Sequence, residues 1–218
     1  MTQFAGFPRR DLLVGVAAMG ALALTQPAKA FDKNAPKIPL PDLLAPDALP
    51  DVWLGKADAP ITIIEYASVT CPHCANFHLD IYPKLVKSYI DTGKARFALR
   101  EYPRNPLDIA AFMLARNAGE KRTAIIDLLF KEQNYWAFGD KPADALQGVV
   151  KKAGINEEAF KKCLSDQDLF QKVLAVGKRS SEKFGVDATP TFFINGDRLT
   201  YWPQDQFDKV LAPYLGKK

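Results

Sequence analysis

The chain has 218 residues, 48% hydrophobic and 25% charged, an ordinary globular mix with enough apolar material for a sizeable core. A net charge of +4 without a long basic run argues against nucleic acid as a partner. Three cysteines are too few for a small scaffold stapled by disulfides.

Residues 1–30 read as a signal peptide. Arg9 and Arg10 supply a basic start, and Leu12 to Leu24 is an apolar run. That run is shorter than the roughly 20 residues a membrane-spanning helix needs. Ala28-Lys29-Ala30 is a small-x-small cleavage site. Arg9-Arg10 before Asp11-Leu12-Leu13 is similar to a twin-arginine signal, although Pro8 stands where that pattern prefers Ser or Thr. The twin-arginine and general secretory routes both stay open at this point, and both lead out of the cytoplasm. The expected location is periplasmic, where disulfides persist.

Residues 31–50 hold Pro36, Pro39, Pro41, Pro46 and Pro50, and read as an extended lead-in or mobile linker. Residues 51–60 suggest a short strand and a turn. Ile61 to Tyr66 is a compact β-branched run, the mark of a buried strand. Ser68 to Thr70 lead into Cys71-Pro72-His73-Cys74, after which Phe77, Ile81, Leu85 and Tyr89 keep helical spacing up to Gly93. Ala95 to Glu101 reads as a second strand, parallel to the first.

Residues 106–185 are helical throughout in pattern, with breaks at Gly119, Gly139 and Gly154, and are expected to form their own small bundle. Thr191 to Ile194 is a third strand, and Asn195-Gly196 is a hairpin signal. Arg198 to Trp202 is the expected return strand, and Pro203 opens a last helix carrying Phe207, Val210, Leu211 and Tyr214. The order βαβ, helices, ββα predicts an α/β protein: a thioredoxin fold over 51–105 and 186–218, interrupted by a helical domain over 106–185.

A dithiol that cycles with a disulfide needs two sulfurs in reach of each other and one held as thiolate. Cys71 near the N-cap and Pro72 at the first helical position meet this need. The N–H groups there lack intrahelical partners and the helix dipole favours negative charge, so the Cys71 thiolate is stabilised. Cys74, one turn further in, is the resolving thiol. His73 between them, as a cation or donor, adds to the stabilisation of Cys71.

Glu65, an acid in an apolar run six residues before Cys71, reads as a buried proton acceptor for Cys74 rather than a water-facing edge carboxylate. A cis Thr189–Pro190 peptide would set Thr189 beside the dithiol, ready to pair with an extended substrate. Phe77 and Tyr66 are assigned to the core, and Trp136 and Trp202 are read as core or rim aromatics ahead of the alternative that they line a substrate groove.

The pieces IIEYASVTCPHC with ANFH, the helical insertion and VDATPTFFING resemble the DsbA-like thiol–disulfide oxidoreductases, over about Trp53 to Leu215. The resemblance implies Cys71 as the exchanging cysteine, Cys74 as its resolver, Glu65 as the buried acid and Pro190 as the cis-proline. It also implies donation of disulfides to reduced exported proteins, with reoxidation by a membrane DsbB-like partner and no cofactor. The chain departs from many relatives at Ala115-Arg116-Asn117-Ala118-Gly119, where they carry a Cys, and this leaves Cys163 unpaired. Cys163 reads as a small buried hydrophobe.

Three rival readings of the dithiol stand beside this one. A metal site would draw on Cys71, Cys74 and His78, but a fourth ligand is missing nearby. A periplasmic reductase or isomerase shares the dithiol, yet residues 31–50 are too few for a dimerisation domain, so a monomer is expected. A merely structural Cys71–Cys74 bridge closes too small a loop to stabilise much and leaves His73 and Glu65 unexplained.

Overall fold

The computed structural model describes residues 35–200, 202 and 207–216. The expected signal peptide, residues 31–34 of the lead-in, Tyr201 of the expected return strand, Pro203 as a helix start and the side chain of Phe207 lie outside the residues and side chains described. Among those described, no helix is long and apolar enough to cross a membrane.

The sheet has four strands, β1 (Ile61–Ala67), β2 (Ala95–Glu101), β3 (Thr191–Ile194) and β4 (Asp197–Leu199), in the order β2-β1-β3-β4. β1 pairs parallel with β2 and antiparallel with β3, and β4 pairs antiparallel with β3. Every residue of β1 is buried, as its unbroken apolar run requires of a central strand covered on both faces. The fold class read from the sequence, a thioredoxin fold carrying inserted helices, is the fold found.

The expected return strand is shorter and begins one residue earlier. Asn195 (φ 48°) and Gly196 (φ 93°) make a two-residue turn, so pairing resumes at once with Ile194 opposite Asp197 and ends at Leu199. The expected strand within residues 51–60 reduces to a single bridge of Leu54 to Phe97 at the edge of β2.

The helix after Cys71 runs as α2 (Pro72–Asn76), a wide π-type segment (Phe77–Ile81), α3 (Tyr82–Leu85) and a second wide segment (Val86–Ile90). Pro83, at the start of α3, lies inside this continuous helical run and has no N–H to donate to the turn before it, at the junction with the wide segment. Between β2 and β3 come α4 (Pro106–Asn117), α5 (Arg122–Lys131), α6 (Gln133–Trp136), α7 (Pro142–Lys152), α8 (Glu157–Leu164) and α9 (Gln167–Phe184). Asn105, Asn156 and Asp166 cap α4, α8 and α9 by accepting from the N–H three residues on. Gly185 ends α9 in the left-handed conformation (φ 66°). A last helix, α10 (Phe207–Leu215), packs Val210, Leu211 and Tyr214 inward.

The inserted helices pack on one another and also join the sheet. One continuous hydrophobic core takes in Ile63, Phe97 and Phe192 of the sheet together with Phe112, Leu129, Trp136 and Val176 of the insertion. Polar side chains join the two parts as well. Glu101 at the end of β2 is fully buried and accepts from Arg116 at 2.7 and 2.8 Å and from Arg122 at 2.7 Å. Burial alone would push the Glu101 carboxyl up, but Arg122 and then Arg116 outweigh it and hold it at about 2. Replacing Glu101 with alanine would face two buried guanidiniums with no carboxylate. The expected loss of stability is about 3–5 kcal/mol, read from urea unfolding. A loss near zero would show that the cluster contributes nothing net.

The described part of the proline-rich lead-in, residues 35–50, is docked rather than a mobile linker. Ile38 N–H donates to Gly196 O at 3.0 Å. A Cβ at Gly196 would lie 2.1 Å from Ile38 O, so this approach requires glycine. Beyond it α1 (Leu40–Leu44) buries Leu43 completely. Arg100 of β2 donates to Leu43 O at 2.7 Å and grips Asp51 through two 2.7 Å bonds. Arg179 of α9 donates to Asp42 O and pairs with Asp47 at 2.9 Å. Composition suggested a linker, whereas these long-range partners supply the ordering that composition lacks.

Candidate active site

Cys71 is the N-cap of α2, with extended backbone (φ −87°, ψ 120°), and Pro72 follows at the first helical position. The first turn of α2 therefore directs free N–H groups at the Cys71 sulfur. Cys71 keeps 2% of its surface at solvent and Cys74 none, and both are free thiols.

The Thr189–Pro190 peptide is cis, and Cys71 Sγ donates to Thr189 O at 3.3 Å. A hydrogen bond from the Cys74 thiol is the largest influence on Cys71, and burial opposes it. The Thr189 side chain and the backbone N–H groups of Cys74 and His73 add to the lowering, and the thiol comes down to about 5. Cys74 moves the opposite way. Burial raises its thiol well above the ordinary value, reinforced by Cys71 and by the charge of Glu65. The two sulfurs thus differ sharply in acidity while sharing a hydrogen bond.

His73 acts on Cys71 through its backbone N–H; its side chain is exposed. That side chain lines a groove of about 500 Å³ beside the dithiol with Asn76, Phe77, Thr189, Pro190 and Trp202. Trp202 is therefore a groove wall, although mostly buried, and Trp136 is core, its Nε1–H donating to Leu129 O at 2.7 Å.

Glu65 lies on central strand β1 with no surface exposed, so it is not a water-facing edge residue. Its Oε2 lies 2.7 Å from His78 Nε2. His78 thus turns to Glu65 rather than joining Cys71 and Cys74 around a metal. Among the described residues no three His, Cys, Asp or Glu side chains cluster closely enough to hold one. Cys163 is buried on α8, and burial, helped by Asp166, pushes its thiol to about 11, so it is inert at neutral pH.

Several residues that position the site carry no local signal. Asp108 of α4, fully buried, accepts from Ser68 Oγ at 2.7 Å, Thr70 N at 2.8 Å and Arg104 N at 2.9 Å. It thereby pins the loop that delivers Cys71. Gln133 of α6 donates to Val69 O at 2.8 Å and Cys71 O at 3.1 Å. The inserted helices hold the redox loop from outside the sheet. Locally Asp108 is only a first-turn acid whose N–H donates to the capping Asn105 Oδ1 at 2.9 Å.

A thioredoxin-type sheet thus carries a C-x-x-C dithiol of unequal acidity at a helix N-terminus, with a Thr-Pro turn set against it. A family model described as thioredoxin matches residues 47–212. The chain is similar to the crystal structure of Wolbachia pipientis alpha-DsbA1, with 30% identity and a TM-score of 0.73, covering 80% of this chain and 95% of that one. It is 35% identical over 148 residues to a Rickettsia bellii protein carrying the name protein-disulfide oxidoreductase, 67% of this chain and 57% of that one. It is also 27% identical over 159 residues to disulfide bond formation protein D of Bacillus subtilis, 65% of this chain and 66% of that one. The chain spans 57–61% of the length of the first three curated relatives. It belongs to the thioredoxin family, among the DsbA-like proteins.

Proposed function

We propose that this chain is an exported enzyme that donates the Cys71–Cys74 disulfide of its CPHC motif to reduced exported proteins. The observation that carries this reading is the split between the sulfurs, with Cys71 brought to about 5 and Cys74 held far above its ordinary value. A substrate thiolate attacks the Cys71 sulfur, and the electron pair of the broken S–S bond leaves on Cys74. A second substrate thiolate then attacks its own mixed disulfide and releases Cys71 as a stable thiolate. A low-pKa leaving thiolate favours reduction of the enzyme, so the oxidised form is a strong oxidant.

In this reading Pro72 sets the first turn of α2, and Glu65 exchanges the proton of Cys74. Thr189, at the cis Pro190, offers backbone to an extended substrate. The protein acts as a monomer in the periplasm, reached through the segment 1–30 by the twin-arginine or the general secretory route. A membrane DsbB-like partner renews the disulfide.

The test is the equilibrium of the oxidised protein with glutathione, joined to transfer of its disulfide to a reduced, unfolded peptide. Transfer is expected to run to completion, with an equilibrium far to the side of the reduced enzyme. An equilibrium close to that of thioredoxin would assign the chain to the reductases or isomerases instead.

A further inference from the structure

The buried partner of Glu65 suggests how protons reach Cys74. When the disulfide opens, Cys74 receives an electron pair in an interior that strongly favours its neutral form, so it must take up a proton. During that step the substrate is bonded to Cys71 and covers the groove beside it. A proton source on another side of the molecule is then required.

Glu65 Oε2 is 2.7 Å from His78 Nε2, while Glu65 Oε1 and His78 Nδ1 are buried and have no hydrogen-bond partner. The His78 ring is fixed by stacking on Phe130 at 4.2 Å and by Tyr82 at 4.8 Å. His78 also borders a cavity of about 10 Å³, room for a single water, whose lining is half apolar (Leu54 and Phe97 among them) and half polar, with Arg122, Thr123 and Asp127. Asp127 is exposed on α5, and its carboxyl feels both burial, which raises it, and the charge of His78, which lowers it. The titratable and charged groups around His78 are therefore Glu65 from β1, Tyr82 from α3, and Arg122 and Asp127 from α5. Arg122 is committed to Glu101 and Leu99 O. The cavity shares no lining residue with the groove beside Cys71.

We infer that His78 and Asp127 are a proton path that fills and drains Glu65 by way of this cavity and the exposed Asp127 carboxyl while substrate occupies the groove beside Cys71. The inference rests on the exchange reading above. As the S–S bond breaks, one proton passes from the Glu65–His78 pair to the Cys74 sulfur, and His78 recovers one from solvent by way of Asp127. The substrate dithiol gives up two electrons and two protons. One proton is balanced by Cys74 and the other goes to solvent, because Cys71 leaves as thiolate. Reoxidation runs the path in reverse. His78 and Asp127 act through Glu65 and are positioning residues.

The experiment is stopped-flow reduction of the oxidised full chain by a reduced peptide dithiol from pH 5 to 8, in light and heavy water. Wild type is compared with His78→Gln, which can still bond Glu65 but cannot relay a proton, and with Asp127→Asn. His78→Gln is expected to slow the proton-dependent phase about tenfold at pH 7 and to enlarge the solvent isotope effect. Asp127→Asn, at an exposed position, is expected to slow it about threefold, and neither should move the glutathione equilibrium more than twofold. Rates within twofold of wild type at every pH would overturn the path, as would slowing independent of pH and isotope. Should His78→Gln fail to fold, an unchanged Asp127→Asn rate overturns it alone. A wild-type chain that exchanges no disulfide removes the exchange reading itself, a distinguishable result.

Discussion

Replacing Cys71 with serine is expected to abolish disulfide transfer altogether, while Cys74→Ser should leave a protein that forms mixed disulfides and cannot resolve them. The asymmetry follows from position. Cys71 sits at the helix N-terminus with N–H groups of His73 and Cys74 on its sulfur, and it alone of the pair reaches solvent. A serine oxygen there has no means of forming the bridge, and its alkoxide is too basic to be stabilised at neutral pH. The measurement is transfer of oxidising equivalents to a reduced peptide, with trapped mixed disulfides resolved by mass. Residual turnover by Cys71→Ser within tenfold of wild type would show that the exchange runs through another sulfur. Cys163, buried and raised to about 11, is a poor substitute.

The second large effect is on stability. Between pH 5 and 9 the reduced protein is expected to gain stability over the oxidised one as pH rises. In the unfolded chain the Cys71 thiol titrates near 9.0, and in the folded chain near about 5. Across that window the unfolded state holds a proton that the folded state lacks, so each pH unit adds about 1.4 kcal/mol to the reduced form. The whole window amounts to about 5 kcal/mol, present in full near pH 9 and lost as pH falls through about 5. Cys74, raised in the fold, has the opposite sign and begins to subtract once its unfolded thiol ionises above that window. Groups such as Glu101 titrate alike in both redox forms and cancel in the difference. Urea unfolding of the reduced and oxidised proteins at pH 5, 7 and 9 measures this directly. A difference flat to within about 1 kcal/mol would mean that Cys71 is not a stabilised thiolate.

The same split in acidity is divided between local and distant causes. The helix N-terminus at Cys71 is local, carried by Pro72 one residue on. The burial of Cys74 and the contact of Thr189 with Cys71 are not, since Thr189 stands 118 residues away in the chain. Both ends of that contact are legible in the sequence because each has its own signature, a C-x-x-C and a Thr-Pro before a strand. Asp108 and Gln133 are not, because an Asp near a helix start and a Gln on a helix face look like ordinary surface residues. Their partners, Ser68 and Cys71, lie 40 and 62 residues off. His78 reads in the sequence only as a candidate ligand in a metal site that lacks a fourth donor, for the same reason. Its spacing from Cys74 suited that role, while its partner on β1 was 13 residues back and across the core.

What the amino-acid order determined by itself was everything that rests on short-range physics. Apolar periodicity marked β1, β2, β3 and the helices, an Asn-Gly pair marked the turn, and the dithiol marked the chemistry. Tertiary structure alone decided that the proline-rich lead-in is docked, that the inserted helices share one core with the sheet, and that buried Glu65 faces a histidine. Those outcomes depend on which desolvated polar groups meet across the interior. A buried charge or hydrogen-bonding group must find a partner wherever the fold brings one, and separation along the chain does not reveal it.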